Sequence, residues 1–138
     1  MRILVVEDDE YKREYIEDVL KQRNIEFHVE RAINSALRYI HDNHDQIDGI
    51  ILDLNLPRYD SYNSWKTIIS MGGLDIPEEM TRLGIEIPIL INSYDAFKVK
   101  YDEYLFDTHN IKGETCPHTF SYERDINSFI ESIEKGEF

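Results

Sequence analysis

Short runs of consecutive apolar residues alternate with amphipathic segments along this chain, and two of these runs end in acidic residues. Residues 2–6 lead directly into Glu7, Asp8 and Asp9, and the run at residues 47–54 includes Asp53 near its end. Continuous apolar runs of about four to eight residues are typical of strands that are buried on both faces of a parallel sheet. The alternation therefore predicts an α/β protein.

The periodicity of the whole chain predicts where its strands and helices lie. Strands are predicted at residues 2–6, 27–29, 47–54, 87–92 and 111–115. Helices are predicted at residues 10–23, 32–40, 62–71, 96–107 and 122–133. Strands that alternate with helices in this way indicate a doubly wound, five-stranded parallel sheet with helices on both faces.

Length, charge and cysteine content limit the class of protein. A length of 138 residues favours one domain that spans residues 1–138. A net charge of −13 repels phosphate backbones and anionic lipids, so we expect no binding to nucleic acid or membranes. Cys116 is the only cysteine, which excludes an intrachain disulfide and fits a reducing compartment. No apolar run has the length of a signal-peptide core or a membrane span, and a cytoplasmic protein is expected.

The acidic residues after the first and third strands are the strongest functional signal. In open α/β sheets the functional groups gather outside the carboxyl ends of the strands, so Glu7, Asp8 and Asp53 are expected at one edge. Ionised carboxylates at short range repel one another unless a cation lies among them. Because Mg²⁺ prefers hard oxygen ligands, the sequence predicts a magnesium site at this edge.

Three segments in this order, MRILVVEDD, GIILDLNLP and IPILINS, resemble the receiver domain of two-component response regulators. The resemblance implies a CheY-like, flavodoxin-like sheet with strand order 2-1-3-4-5. It implies that Glu7 and Asp8 bind Mg²⁺, and that Asp53 is both a metal ligand and the phosphoacceptor. The backbone carbonyl of Asn55 would be a further metal ligand, and Ser93 would be the hydroxyl that moves to contact the phosphoryl group. A histidine kinase or phosphotransfer protein would donate that group, and an unidentified downstream protein would bind the signalling surface.

The sequence departs from the receiver pattern close to the expected site. The family has a lysine before the proline that follows the fifth strand, but Cys116 precedes Pro117 here. Lys112 would replace that lysine only if a bulge or a shifted register brought it to the same edge. The bulky Tyr94 follows Ser93, where the family has a very small residue, so restricted access for phosphodonors is expected.

Some features have a simpler structural interpretation beside the functional one. Asp9 is better explained as the N-cap of the first helix than as a metal ligand, and Ser93 is also compatible with a plain N-cap of the helix that follows it. The crossover from the third to the fourth strand is extended at about residues 70–86. That extension fits either a partner-specific lobe or a longer helix packed on the sheet, and we favour the helix.

Two functional hypotheses remain. The first is a stand-alone receiver, because no output domain follows the last helix; its only enzymatic activity would be its own phosphorylation and dephosphorylation. The second is a pseudo-receiver, an interaction module that aspartyl phosphorylation does not control, as suggested by Cys116, Tyr94 and Gly113. An aspartate-based phosphohydrolase is disfavoured, because that class usually has a second acid two residues after the nucleophile, where Asn55 lies here.

Overall fold

The computed structural model describes residues 1–60, 68–69, 71–94, 108–117 and 119–138, which contain a parallel sheet flanked by helices. The strands are β1 (Arg2–Val6), β2 (Glu26–Glu30), β3 (Gly49–Leu52), β4 (Leu56–Pro57), β5 (Ile68–Ile69), β6 (Ile89–Asn92) and β7 (Ile111–Thr115). The helices are α1 (Glu10–Gln22), α2 (Ile33–Asn43), α3 (Asp75–Leu83) and α4 (Tyr122–Lys135). Five strands form one parallel sheet in the order β2-β1-β3-β6-β7. Since β6 and β7 are its fourth and fifth strands along the chain, the predicted order 2-1-3-4-5 is confirmed.

Different helices cover the two faces of this sheet, because side chains alternate along each strand. Ile3 and Val5 of β1 are fully buried in a cluster with residues of α1 and α4. Leu4 and Val6 of the same strand are buried with residues of α2 and α3. Both faces of β1 are therefore hydrophobic, which explains its unbroken apolar run.

Backbone hydrogen bonds continue beyond the ends of β1 and β3. The register of these strands pairs Val6 with Leu52, and the N–H of Asp53 then donates to the Val6 carbonyl oxygen at 2.9 Å. The N–H of Glu7 donates to the Glu30 carbonyl oxygen at 3.0 Å. These bonds fix the backbones of Glu7 and Asp53 side by side at one edge of the sheet.

The crossover after β3 differs from the helix predicted at residues 62–71. Residues 61–67 and 70 lie outside the described residues, but Ile68–Ile69 forms β5, which pairs antiparallel with β4. Met71 has a φ of 60°, in the left-handed region, where a helix does not continue. The helix prediction is wrong for this described end of the segment, because pairing with a distant strand overrides the local periodicity.

Helix α3 lies within the extension expected at about residues 70–86. Its residues Ile76 and Met80 are buried in the core beside α2. Gly84, with a φ of 73°, follows its last turn in the left-handed conformation that commonly ends helices. The extension therefore contains a nine-residue helix whose apolar side chains pack in the core.

The carboxyl-terminal part agrees with its prediction where it is described. β7 covers the predicted residues, and α4 extends to Lys135 before Gly136 ends it with a φ of 65°. The helix predicted at residues 96–107 lies outside the described residues. Among the described helices, none combines the length and the hydropathy that a membrane-spanning segment needs.

Candidate functional site

Glu7, Asp8 and Asp53 lie together at the carboxyl ends of β1 and β3. Each offers a carboxylate oxygen, and the three oxygens lie within 4.8 Å of one another. Glu7 is fully buried and Asp53 is 2% exposed, whereas Asp8 is partly exposed. Two carboxylates buried at this separation require a compensating cation or proton.

Lys12, in the first turn of α1, supplies positive charge to this cluster. Its Nζ lies 2.9 Å from Glu7 Oε1 and 3.3 Å from Asp53 Oδ2, and its side chain is only 9% exposed. Asp9 fixes the start of the helix, because its Oδ1 accepts a hydrogen bond from the backbone N–H of Lys12 at 3.1 Å. This confirms Asp9 as an N-cap, and it places the Lys12 ammonium between two of the three clustered acids.

Lys12 was not among the residues that the sequence predicted for this site. A signal for it was nevertheless present, because the positive end of the helix dipole disfavours a cation in the first turn. Lys12 occupies such a position four residues after Asp8. Its position two residues after the acidic residues 7–10 suggests an ion pair with one of those acids, but it does not report the contact with Asp53.

Burial and charge shift the titration of these groups. The pKa of Glu7 is raised to about 10, chiefly by burial. Asp53 contributes to the rise, because it accepts a hydrogen bond from protonated Glu7 and repels the ionised form, whereas Lys12 opposes it. Burial disfavours the charged form of Lys12, but the charges of Glu7 and Asp53 outweigh this effect and the pKa of Lys12 is raised. Unless a further cation binds, a proton on Glu7 completes the charge balance at neutral pH.

The residues of the cluster fit a small divalent cation. When Glu7 is ionised, its buried Oε2 accepts no hydrogen bond from any described residue. The carboxylates of Asp8 and Asp53 lie beside it, which gives a set of hard oxygen donors of the kind that Mg²⁺ prefers. Asn55, whose backbone carbonyl was predicted as a further ligand, is tied to the same loop, since its N–H donates to Asp53 Oδ1 at 3.4 Å.

A turn after the β4–β5 hairpin supports the loop that follows Asp53. The N–H of Gly73 donates to the Leu54 carbonyl oxygen at 2.7 Å, and the N–H of Met71 donates to Asn55 Oδ1 at 3.0 Å. A Cβ on Gly73 would lie 2.3 Å from the Asp53 carbonyl oxygen, so a larger residue does not fit without a backbone shift.

Ser93 follows β6 at the same edge of the sheet as Asp53. It is fully buried, and its N–H donates to the Thr115 carbonyl oxygen at 3.2 Å. The neighbouring Asn92 is also fully buried. The helix that Ser93 would cap lies outside the described residues, so both interpretations of Ser93 stay predictions.

A cavity of about 440 Å³ opens beside Lys12, and tyrosines form much of its wall. The tyrosines are Tyr11, Tyr15, Tyr94 and Tyr122. Lys12 Nζ lies 4.9 Å from the ring centroid of Tyr94, within range of a cation–π contact. Tyr94, which the sequence indicated as a barrier to phosphodonors, thus covers the ammonium on the cavity side.

Neither Cys116 nor Lys112 supplies the missing ammonium. Cys116 is half-buried, and a cysteine side chain carries no ammonium group. A bulge does occur where β7 pairs with β6, but Lys112 is exposed, and its Nζ lies 5.9 Å from the ring centroid of Phe138. Lys12 therefore contributes the positive charge that the sequence had led us to seek in β7.

No family model matches the chain, and no curated protein sequence matches it. Solved structures with the same fold do exist. The signal receiver domain of a putative Luxo repressor protein from Vibrio parahaemolyticus aligns with a TM-score of 0.74 and 17% identity, over 99% of this chain and 92% of that chain. A CheY-like response regulator receiver domain protein from Methanospirillum hungatei JF-1 aligns with a TM-score of 0.72 and 17% identity, over 99% and 95%.

A third similar structure is that of the phosphorylated cyanobacterial phytochrome response regulator RcpA. Its TM-score is 0.71 and its identity to this chain is 19%, over 96% of this chain and 93% of that chain. The three alignments each cover nearly the whole of both chains, and they agree with the strand order of the sheet. The chain therefore has the fold of CheY-like response-regulator receiver domains, as its three sequence segments predicted.

Proposed function

We propose that this chain is a receiver-type signalling module that binds Mg²⁺ and accepts a phosphoryl group on Asp53. The observation that carries the proposal is the cluster of Glu7, Asp8 and Asp53, whose oxygens lie within 4.8 Å at one edge of a receiver fold. Asp53 follows the central strand β3, and its Oδ2 faces the Lys12 ammonium. Such a carboxylate is a suitable phosphoacceptor once the charge around it is neutralised.

In the proposed reaction, an Asp53 carboxylate oxygen attacks the phosphorus of a phosphohistidine on a partner protein. The O–P bond forms and the P–N bond breaks, and the imidazole nitrogen keeps the electron pair and takes up a proton. Glu7, Asp8, Asp53 and the Asn55 carbonyl would hold Mg²⁺, which would supply positive charge beside the phosphoryl oxygens. The product carries three acceptor oxygens, and the hydroxyl of Ser93 is proposed to contact one of them.

The proposed partners follow from this chemistry. A histidine kinase or a phosphotransfer protein would donate the phosphoryl group, and a downstream protein would recognise the changed surface. Residues 1–138 would act as one module in the cytoplasm, with no catalysis beyond the gain and loss of their own phosphoryl group. A net charge of −13 supports protein partners over nucleic acid or membranes.

Intact mass spectrometry tests the phosphorylation directly. The purified chain is incubated with Mg²⁺ and a small acyl-phosphate donor, beside an Asp53→Asn variant. We expect a single labile phosphate on the native chain and none on the variant. Asp18→Asn is the matched control, because Asp18 is an exposed acid in the middle of α1 and lies outside the acid cluster. A native chain without phosphate, or an Asp53→Asn variant with it, would contradict the proposal.

The contacts of Lys12 favour a second candidate function. Because its Nζ lies within 3.3 Å of both Glu7 and Asp53, these acids already have a cationic partner. The chain would then be an interaction module of the pseudo-receiver kind, whose contacts do not depend on aspartyl phosphate. A chain that gains no phosphate and binds neither Mg²⁺ nor a beryllium-fluoride phosphate mimic would support this second function.

A further inference from the structure

Three groups surround the ammonium of Lys12. Glu7 Oε1 lies 2.9 Å from Nζ, Asp53 Oδ2 lies 3.3 Å from it, and the ring centroid of Tyr94 lies 4.9 Å from it. The side chain is 9% exposed, so the ammonium has lost most of its contact with water. The acidic side chains of Glu7 and Asp53 and the ring of Tyr94 compensate for that loss. The fold therefore holds Lys12 in the acid cluster.

The location of Lys12 in the first turn of α1 does not by itself explain why its side chain is buried in the acid cluster. The first turn of a helix favours acidic residues and disfavours cations, because the free N–H groups there carry partial positive charge. Lys12 lies in that turn, with its own N–H bonded to the cap residue Asp9. The burial of Lys12 is thus explained by Glu7 and Asp53, and not by the helix to which it belongs.

We propose that Lys12 is the resident cation of the acid cluster, and that it competes with a divalent metal ion for Glu7 and Asp53. This inference rests on the metal site of the proposed function. Two of the three side chains that cluster within 4.8 Å are the two that Lys12 contacts. A divalent cation among the same oxygens would lie close to the ammonium and repel it. Metal binding therefore requires the ammonium to withdraw.

The cavity beside Tyr94 provides room for this withdrawal. Its volume is about 440 Å³, and Lys12 forms part of its wall. Tyr94 is 46% exposed, so its ring lies at the solvent side of the cavity and not in the core. The exposed Asp9 lines the same cavity and offers a carboxylate to the displaced ammonium. The lysine can thus leave the metal ligands while it keeps an acidic partner.

Metal affinity tests the competition without any phosphorylation. Binding of Mg²⁺ is measured by calorimetry and binding of Mn²⁺ by electron paramagnetic resonance, for the native chain, Lys12→Met and Lys112→Met. The matched control is Lys112→Met, because it removes the same charge from an exposed lysine outside the cluster. We expect Lys12→Met to lower the metal Kd by about tenfold or more, and Lys112→Met to change it by less than about twofold. Equal affinity in Lys12→Met and the native chain, or no metal binding by either, would overturn the proposal.

A charge-preserving variant separates the charge of Lys12 from its packing. Lys12→Arg keeps the positive charge in the first turn of α1, and its metal Kd is expected to stay within about threefold of the native value. If Lys12→Arg binds metal as tightly as Lys12→Met, the tighter binding reflects altered packing and the competition is refuted.

A measurement on the native chain applies even if Lys12→Met fails to fold. The side-chain ¹⁵N signal of the Lys12 ammonium, assigned with Lys12→Arg, is followed during a Mg²⁺ titration. We expect this signal to shift with the same midpoint as metal binding, and an unchanged signal at saturating metal would refute withdrawal. Because no readout needs a phosphoryl donor, failure of Asp53 phosphorylation leaves this test valid. Conversely, if Asp53 is phosphorylated but the Lys12 ¹⁵N signal does not change with Mg²⁺, the proposed function stands and only the competition between Lys12 and the metal is refuted.

Discussion

Gly73 lies directly against the backbone of Asp53, where a Cβ on the glycine would come within 2.3 Å of the Asp53 carbonyl oxygen. The same Cβ would lie 2.9 Å from Leu54 Cα. Both neighbours are backbone atoms, so they cannot move aside by a change of rotamer. The turn at Gly72–Leu74 and the loop after Asp53 are therefore packed as one unit.

Replacement of that glycine tests this packing. Gly73→Ala is expected to lower the free energy of unfolding by about 1–3 kcal/mol, because the backbone at Asp53 must shift. Gly113→Ala is the matched control, since its Cβ would meet nothing closer than Leu90 Cδ1 at 3.5 Å, and its effect should stay below about 1 kcal/mol. Urea denaturation followed by circular dichroism measures both variants. Equal stabilities would show that the turn is not constrained by Asp53.

The raised pKa of Glu7 predicts how stability depends on pH in metal-free buffer. The folded chain holds the Glu7 proton up to a pKa of about 10, whereas the ordinary pKa is 4.5. The stabilising contribution is therefore complete below pH 4.5 and is lost as the pH rises from there towards 10. Glu7→Gln imitates the protonated carboxyl, so we expect it to exceed the native chain in stability by about 1 kcal/mol or more at pH 8.

The same comparison at pH 5 is the control for Glu7→Gln, because less of the proton-linked contribution has been lost there. The difference in urea unfolding free energy between the two chains should be smaller at pH 5 than at pH 8. A difference that is the same at both pH values would argue against a proton on Glu7.

The cap of α1 also predicts a measurable effect. Asp9→Ala removes the acceptor of the Lys12 N–H and is expected to reduce the free energy of unfolding by about 1 kcal/mol. Asp18→Ala serves as the control, because Asp18 is an exposed acid in the middle of the same helix. In thermal unfolding, Asp9→Ala is expected to have a lower Tm than Asp18→Ala. A higher Tm for Asp9→Ala would show that Asp9 does not stabilise the start of the helix.

Helix α3 is predicted to be part of the core. Met80 is 2% exposed and Leu83 on the same helix is 43% exposed. Met80→Ala should reduce the free energy of unfolding by about 2–5 kcal/mol, and Leu83→Ala by about 1 kcal/mol or less. Urea denaturation of both variants measures these losses. If both variants lose only about 1 kcal/mol of unfolding free energy, helix α3 is not part of the core.

Much of the acid cluster was predictable because strand ends are marked locally. Residues 3–6 before Glu7 and residues 49–52 before Asp53 are apolar without interruption, and parallel pairing brings their ends to one edge. The ends of such strands can therefore be predicted from the local sequence, without information on distant contacts. The bounds of β7 were also predicted as they are observed, although its sequence is mostly polar and Gly113 weakens the local strand signal.

Other features depend on contacts that no local pattern reports. The direction of the Lys12 side chain follows from how α1 lies against the sheet, so its contact with Asp53 was missed. The pairing of Leu56 with Ile69 joins residues across an intervening segment, and a helical period around Ile69 hid it. Short strands of this kind are stabilised by their partners more than by their own sequence.

The bulge in β7 affects what the sheet can do at its outer edge. β7 is the last strand in the sheet order, and the register passes from Ile111 to Gly113, so that Lys112 is left without a paired position. Lys112 is exposed there. A kinked outer strand that carries a charge is a poor template for an additional strand. Among the described strands, the outer edge of β7 is therefore disfavoured as a pairing site for a strand from another copy of the chain.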